Sequence, residues 1–355
     1  MIDKNFWKNK RVLITGHTGF KGSWLSLWLV NLGAKVAGYA LSPHTQPNLF
    51  ETFNLKNQLE HNVGDIADYE NLQKIIKNFQ PEIIFHLASR SIVKYSYQNP
   101  VETYRTNVMG AVNLLEIVRK SPNILATIMI TSDKCYENIN QKYLYQENDK
   151  LSGNDPYSSS KACVELVTLA YTKSYFLNST TLSKVASARC GNVIGGGDWS
   201  IDRLLPDLVS KFLANETAII RKPQAIRPWL FVLDSLCGYL LLAQYLANLP
   251  SQNQVMAYNF APDQSQQISV LELVNKIMKI WGTPSKMQIL EETNNFHEEN
   301  YLLLDSSKAR RELGWLPKFN IDIALDKTIK WYQNFQQNNG DILDFSLKQI
   351  TNFDK

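Results

Sequence analysis

Apolar runs of strand length alternate with amphipathic stretches of helix length along the first half of the chain. Arg11-Val-Leu-Ile-Thr15 is the first such run, and Trp24, Leu25, Leu27, Trp28 and Leu32 mark the helical stretch behind it. Lys35 to Tyr39, Pro81-Glu-Ile-Ile-Phe-His86 and Ala126 to Thr131 repeat the strand pattern, and another strand is expected just ahead of Gly64. Tyr104 to Lys120 and Ser158 to Phe176 read as helices. Strands alternating with helices of this length predict an α/β fold with a parallel, doubly wound sheet. Residues 1–190 are assigned to it. Residues 191–355 are expected to build a smaller C-terminal α+β lobe, although later segments are free to return to the sheet. Ser269 to Gly282 and Asp322 to Gln336 predict amphipathic helices there, and Gly238 to Leu249 a buried one. The tail beyond Asn338 shows no pattern.

Between the first strand and its helix stands Gly16-His17-Thr18-Gly19-Phe20-Lys21-Gly22. Glycines at this place let the backbone turn tightly and bring a helix N-terminus up to a pyrophosphate. The strand–turn–helix context makes this a dinucleotide site of Rossmann type rather than an idle turn. Its G-x-x-G-x-x-G spacing resembles the extended short-chain dehydrogenase/reductase superfamily. The second strand ends without the Asp or Glu that usually takes the adenosine ribose, and without an arginine for a 2′-phosphate. His17 and Lys21 are candidates for the phosphates instead; a solvated Lys21 is the plain alternative.

Two short stretches carry candidate chemistry. Tyr157 and Lys161 are four residues apart at the start of a helix, which places both on one face. An ammonium beside a phenol favours the phenolate, so Lys161 is expected to draw the Tyr157 pKa toward neutrality. Such a tyrosine takes a proton from an alcohol while a cofactor takes the hydride. Ser132, Asp133 and Lys134 lie at the carboxyl end of a strand, where open α/β sheets bind ligands. A carboxylate beside an amine there suits acid–base work; a simple ion pair is the alternative.

Composition narrows the partners. The chain has 355 residues, 44% apolar and 20% charged, with net charge +4. No dense basic block calls for nucleic acid, and no apolar run calls for a membrane. Cys135, Cys163, Cys190 and Cys237 lack ligand or disulfide spacing, so no metal is expected. The N-terminus lacks the apolar core of a signal peptide, which makes the cytoplasm the expected location.

Longer motifs narrow the family. Thr131-Ser-Asp-Lys-Cys-Tyr-Glu-Asn138, Asp155-Pro-Tyr-Ser-Ser-Ser-Lys161 and Ala188-Arg-Cys-Gly-Asn-Val-Ile-Gly-Gly-Gly-Asp-Trp199 resemble the CDP-glucose 4,6-dehydratases. Asp202-Arg-Leu-Leu-Pro-Asp207, Ile226-Arg-Pro-Trp229 and the segment Tyr301 to Pro317 extend the resemblance over nearly the whole chain. Related nucleotide-sugar dehydratases usually carry Asp-Glu where Asp133-Lys134 stands. The resemblance implies NAD as cofactor, held by Gly16 to Gly22, Asp65, Ile66, Leu87, Ala88, Ser89, Asn107, Tyr157 and Lys161. It implies Ser132, Asp133, Lys134, Tyr157 and Lys161 as catalytic residues, and a homodimer through the two helices at 104–120 and 158–176. The reaction it implies is C4 oxidation, loss of water across C5 and C6, and hydride return to C6. Lys134 is either a base at C5 or a stabiliser of the enolate.

Asn192 resembles a substrate-contacting residue. Arg203 and Arg227 are candidates for the diphosphate because guanidinium forks suit phosphate oxygens, with Arg227 preferred. His297 and Glu298 are taken as structural. Ser89-Arg90-Ser91 and Ile139 to Tyr145 depart from the family pattern, which bears on the hexose more than on the reaction. Val164, Val167 and Leu169 suit either the dimer face or the core. A 4-epimerase, a dehydratase of another nucleotide hexose, and a catalytically silent dinucleotide sensor are the alternatives. Asp133-Lys134 argues against the epimerase.

Overall fold

A computed structural model describes residues 2–177, 182–263, 266–282, 285–290, 301–337 and 341–354. His297 and Glu298 lie outside the described residues. Seven strands form one sheet whose neighbouring pairs are all parallel. From edge to edge they are Met256–Phe260, Lys184–Cys190, Ala126–Ile130, Ile83–His86, Arg11–Thr15, Lys35–Ala40 and Glu60–Val63. Val12, Leu13, Ile14, Ile83, Ile84, Phe85 and Ile128 are fully buried because helices cover both faces of the sheet. That accounts for near-continuous apolar runs where an antiparallel strand would alternate. The order of strands reverses at Arg11–Thr15, so the crevice at the carboxyl ends of Arg11–Thr15 and Ile83–His86 is where such a sheet takes a ligand.

The sheet also draws on residues 256–260, well beyond residue 190, and the helix Val232–Asn248 packs under it. The chain therefore enters the C-terminal lobe, returns to the sheet, and leaves again. Short ladders build the lobe: Ile226–Arg227 with Ile268–Ser269, Thr217–Ile220 with Lys286–Ile289, and Leu144–Tyr145 with Leu303–Leu304. The last ladder docks the divergent 139–145 segment onto the C-terminal lobe. Val270–Trp281 begins with a capping box between Ser269 and Glu272, and Ile321–Gln337 packs beside it. The tail forms a helix, Ile342–Asp354, whose Phe353 meets Trp28 edge-on, with centroids 5.5 Å apart. Its apolar positions matter only against a surface that another part of the chain supplies. Among the described residues no helix is long and apolar enough to cross a membrane.

The helix bearing Tyr157 starts at Pro156, two residues earlier than Ser158. Asp155 caps it, accepting from the Tyr157 and Ser158 amides at 2.9 Å each, and proline at the first helical position needs no partner for a missing N–H. It runs to Tyr171 and closes on a π turn at Thr172–Phe176. The 104–120 stretch is likewise divided: Pro100–Tyr104, a π turn at Arg105–Met109, then Gly110–Arg119.

Candidate active site

The glycine turn follows directly from the first strand. Gly16 has φ +77°, and a Cβ there would lie 2.7 Å from the Ala88 amide nitrogen. At Gly22 a Cβ would lie 2.1 Å from the Gly16 carbonyl oxygen. Only bare backbone fits both places, so the turn and the N-terminus of Phe20–Asn31 come together. Thr18 Oγ1 donates to the Leu41 carbonyl at 2.9 Å and ties the turn to the end of the second strand. Phe20 lies partly buried against the main core. Leu87 N donates to the Thr15 carbonyl at 3.0 Å and Ala88 N to Thr15 Oγ1 at 3.3 Å, so the 87–89 stretch runs alongside the turn. Asp65 lies beyond the third strand, where its Oδ1 caps the Ala67 amide at 2.9 Å; Ile66 is buried against Gly110.

Both basic residues of the turn point elsewhere than the glycine backbone. The His17 ring lies over Gly38, where a Cβ would be 2.2 Å away, and its Nε2 bonds His61 Nδ1 at 2.7 Å. Burial, with His61 beside it, pulls its pKa down to about 3. Lys21 sends its ammonium inward to Tyr239 Oη at 3.2 Å. Burial lowers its pKa, opposed by Cys190, Asp133 and Asp198. Lys21 thus belongs electrostatically to the Asp133 end of the crevice. Asn107 is fully engaged in protein contacts: Oδ1 accepts from the Arg90 amide at 2.7 Å, and Nδ2 donates to Ser160 Oγ at 2.8 Å and the Arg90 carbonyl at 3.1 Å. It clamps the 89–91 loop to the Tyr157 helix.

Ser132, Asp133 and Tyr157 meet at the end of the Ala126–Ile130 strand, all buried. Ser132 Oγ donates to Asp133 Oδ1 at 2.8 Å, with the Tyr157 phenol close enough to feel both. Asp133 and half-buried Lys134 stand in a short 3-10 turn capped by Ser132. Gly191 packs on Asp133, since a Cβ there would lie 2.8 Å from Oδ2. Lys161 is buried too, with Nζ 3.4 Å from the Ile130 carbonyl and 6.0 Å from the centroid of the Tyr157 ring. The expected lowering of the phenol does not occur in this arrangement. Burial pushes Tyr157 up to about 12, eased by the nearby Ser132 hydroxyl and by the charge of Arg203. Lys161 itself is drawn down to about 7, by burial first and by Lys21 second. Spacing puts two side chains on one helix face; it does not fix where a four-carbon stem ends.

Arg203 donates to Asp198 Oδ2 at 3.3 Å and Ser91 Oγ at 2.9 Å, bridging the divergent 89–91 loop to the Gly195–Trp199 segment. Asn192 is half-buried just past the Lys184–Cys190 strand, and its carbonyl accepts from Leu230 N at 2.9 Å. Arg227 is nearly buried in the Ile226–Arg227 strand of the lobe, donating to its own Ile226 carbonyl at 3.0 Å. The charge of Arg203 acts on both Tyr157 and Lys21.

Sequence patterns did not single out Tyr239, Asp198 or His86. His86 Nδ1 lies 2.8 Å from Thr15 Oγ1, and burial followed by the Lys161 charge holds its pKa near 3. Tyr239 reaches the crevice from the remote Val232–Asn248 helix, where no local spacing signals it, whereas His86 ends a crevice strand and Asp198 stands inside the 188–199 motif.

The model of the GDP-mannose 4,6 dehydratase family matches residues 13–328. A CDP-glucose 4,6-dehydratase of Salmonella typhimurium is 46% identical over 99% of this chain and 98% of its own length. A dTDP-glucose 4,6-dehydratase of Xanthomonas campestris is 25% identical over 95% of this chain and 97% of its own. The fold is similar to that of Bacillus anthracis dTDP-glucose 4,6-dehydratase solved in complex with NAD (TM-score 0.78, 24% identity, 92% of this chain and 98% of that one). It is equally similar to Thermotoga maritima UDP-glucose 4-epimerase (TM-score 0.79, 21% identity, 92% and 99%). The chain belongs to the GDP-mannose 4,6 dehydratase family, the nucleotide-sugar dehydratase branch of the extended short-chain dehydrogenase/reductases.

Proposed function

We propose that this protein converts CDP-D-glucose to CDP-4-dehydro-6-deoxy-D-glucose and water, with NAD as a recycled cofactor. The observation that carries the reading is Asp133, buried beside Tyr157 at the same strand end and bonded to Ser132: a 4-epimerase needs the tyrosine and lysine but has no use for an acid at C6. Full-length similarity to a CDP-glucose 4,6-dehydratase supports the choice of base and hexose.

The site fits a dinucleotide, because the Gly16–Gly22 turn leaves its backbone bare where a side chain would collide. Gly16 to Gly22, Asp65, Ile66 and Leu87 to Ser89 would hold it, with Asn107 keeping the 89–91 loop in place. Bound NAD supplies the acceptor for the C4 hydride and the donor that completes C6.

Tyr157 serves the C4 hydroxyl as base. Ser132 Oγ donates to Asp133 Oδ1, and the buried phenol feels both groups. Tyr157 enters the reaction as the phenolate at C4 and Asp133 as the carboxylic acid at C6, and solvent resets both after product leaves. The phenolate then takes the C4 hydroxyl proton. The C4 ketone acidifies the C5 hydrogen, Lys134 accepts that proton or stabilises the enolate, and Asp133 protonates the departing C6 hydroxyl. Asn192, Arg203 and Arg227 are assigned to the nucleotide sugar, and Arg203 would exchange its Ser91 and Asp198 contacts for phosphate oxygens.

The homodimer is proposed through the Pro100–Arg119 and Pro156–Phe176 helices. Val101 (80% exposed), Met109 (49%) and Leu166 (50%) leave apolar surface on them. Val164 is core, and Val167 packs against it, so Leu166 takes the outward role.

Proton NMR of the protein with CDP-glucose and NAD tests the reading. A new C6 methyl doublet beside a 4-keto or hydrated C4 signal is expected. A C4 epimer without a methyl signal would move the assignment to the epimerases.

A further inference from the structure

One buried ion pair on the Tyr157 helix has no part in the chemistry above. Glu165 follows Lys161 by one helical turn, on the same face. Its side chain is 3% exposed and faces Arg189, 4% exposed, at 2.8 Å. Thr131 Oγ1 donates to Oε1, and Ser187 Oγ donates to Oε2 at 2.7 Å. These partners come from the two strands that deliver the site: Thr131 immediately precedes Ser132, and Arg189 immediately precedes Cys190 and Gly191. Arg189 also donates to Tyr136 Oη at 2.7 Å and the Glu147 carbonyl at 2.9 Å. Tyr136 donates to Asn259 Oδ1 at 2.8 Å, and Asn259 Nδ2 reaches the Asp305 carbonyl at 3.1 Å.

An ion pair this deeply buried gains little stability over apolar side chains of the same volume. Its location suggests another role. Lys161 and Lys21 are two inward-pointing ammoniums in one crevice, and each disfavours charge on the other. Glu165, and after it Cys135, opposes that effect on Lys161, and the Lys161 ammonium and the Glu165 carboxylate end at neighbouring residues, Ile130 and Thr131. The carboxylate also binds Thr131, so the helix carrying Tyr157 and the strand carrying Ser132–Asp133 are joined at a single side chain.

We propose that Glu165 is a positioning residue: it sets a carboxylate one helical turn from Lys161 and ties the Tyr157 helix in register with Ser132–Asp133 through Thr131. The proposal relies on the dehydratase reading only for its kinetic readout.

The test titrates Lys161 by carbon-13 NMR in protein labelled at lysine Cε, with the signal assigned by Lys161→Arg. The pH profile of kcat for CDP-glucose is recorded in parallel. In Glu165→Gln the Lys161 midpoint is expected to fall by about one pH unit or more. The alkaline limb of kcat should move with it, and Glu165→Asp should recover most of the loss. Glu165→Gln leaves Arg189 buried without its carboxylate, so Glu165→Gln/Arg189→Met serves as the variant that folds. Its thermal midpoint should return toward wild type while the Lys161 midpoint stays low. A structural strut alone predicts the opposite: activity and Lys161 titration both restored with stability. That outcome, or a Lys161 midpoint unchanged in both variants, overturns the proposal. An inactive wild type would count against the substrate assignment and leave the lysine titration as the deciding measurement.

Discussion

Gly191→Ala is the sharpest test of the site. The added Cβ would lie 2.8 Å from Asp133 Oδ2 and 2.7 Å from Pro228 Cγ. Ordinary contact begins near 3.4 Å, so both contacts must open by roughly 0.6–0.7 Å, an overpacking that costs about 1–3 kcal/mol. Pro228 is a ring with little freedom, and Asp133 is held by Ser132 through the opposite oxygen. The Pro228 contact opens only by a small backbone shift, and the Asp133 contact opens by rotation of the carboxylate away from its bond to Ser132. A misplacement approaching 1 Å at a reacting group costs on the order of 100-fold in rate. The expected result is a kcat about 100-fold down, by the methyl-doublet NMR assay, with a thermal midpoint only a few degrees lower. Full turnover with the same thermal shift would refute the reasoning: the Asp133 carboxylate would then not be needed where the structure puts it.

Asp133→Asn keeps the shape and an acceptor for Ser132 but removes the acid; dehydration should drop by about 10²–10⁴-fold. C4 oxidation, read as a rise in nicotinamide absorbance, should persist. Gly16→Ala should abolish NAD binding in calorimetry, because the turn cannot hold a Cβ 2.7 Å from the Ala88 nitrogen at φ +77°. A lysine near pKa 7 folded, against about 10.4 unfolded, binds fewer protons folded than unfolded between those values. Wild-type stability should therefore rise from pH 7 to 10 relative to Lys161→Met, which lacks the titration. A gap in thermal midpoint that stays constant with pH would contradict the burial of this lysine. Leu166→Glu with Met109→Glu should give monomers by equilibrium sedimentation if these helices form the dimer.

Local chemistry determined much of this protein in advance. The strand runs at 11–15, 83–86 and 126–130 are apolar because both sheet faces are covered, and the glycine turn sits where the first strand ends. Asp155-Pro156 starts the Tyr157 helix, although only the cap geometry moved that start two residues ahead of Ser158. The motifs were enough to group Ser132, Asp133 and Tyr157, since each is held by the backbone element that carries it. Long side chains were not legible in this way. Lys161 and Lys21 end where burial and distant partners send them, at the Ile130 carbonyl and at Tyr239, more than 200 residues away in the second case. His17 turns to Gly38 because a glycine on the neighbouring strand leaves room for a ring. The seventh strand and the tail helix are also products of the tertiary structure. Met256–Phe260 joins the sheet only because Lys184–Cys190 offers an open edge, and Ile342–Asp354 finds its apolar partner in Trp28. Residue spacing constrains contacts one helical turn or one strand apart; charge, burial and docking between remote segments are decided by packing.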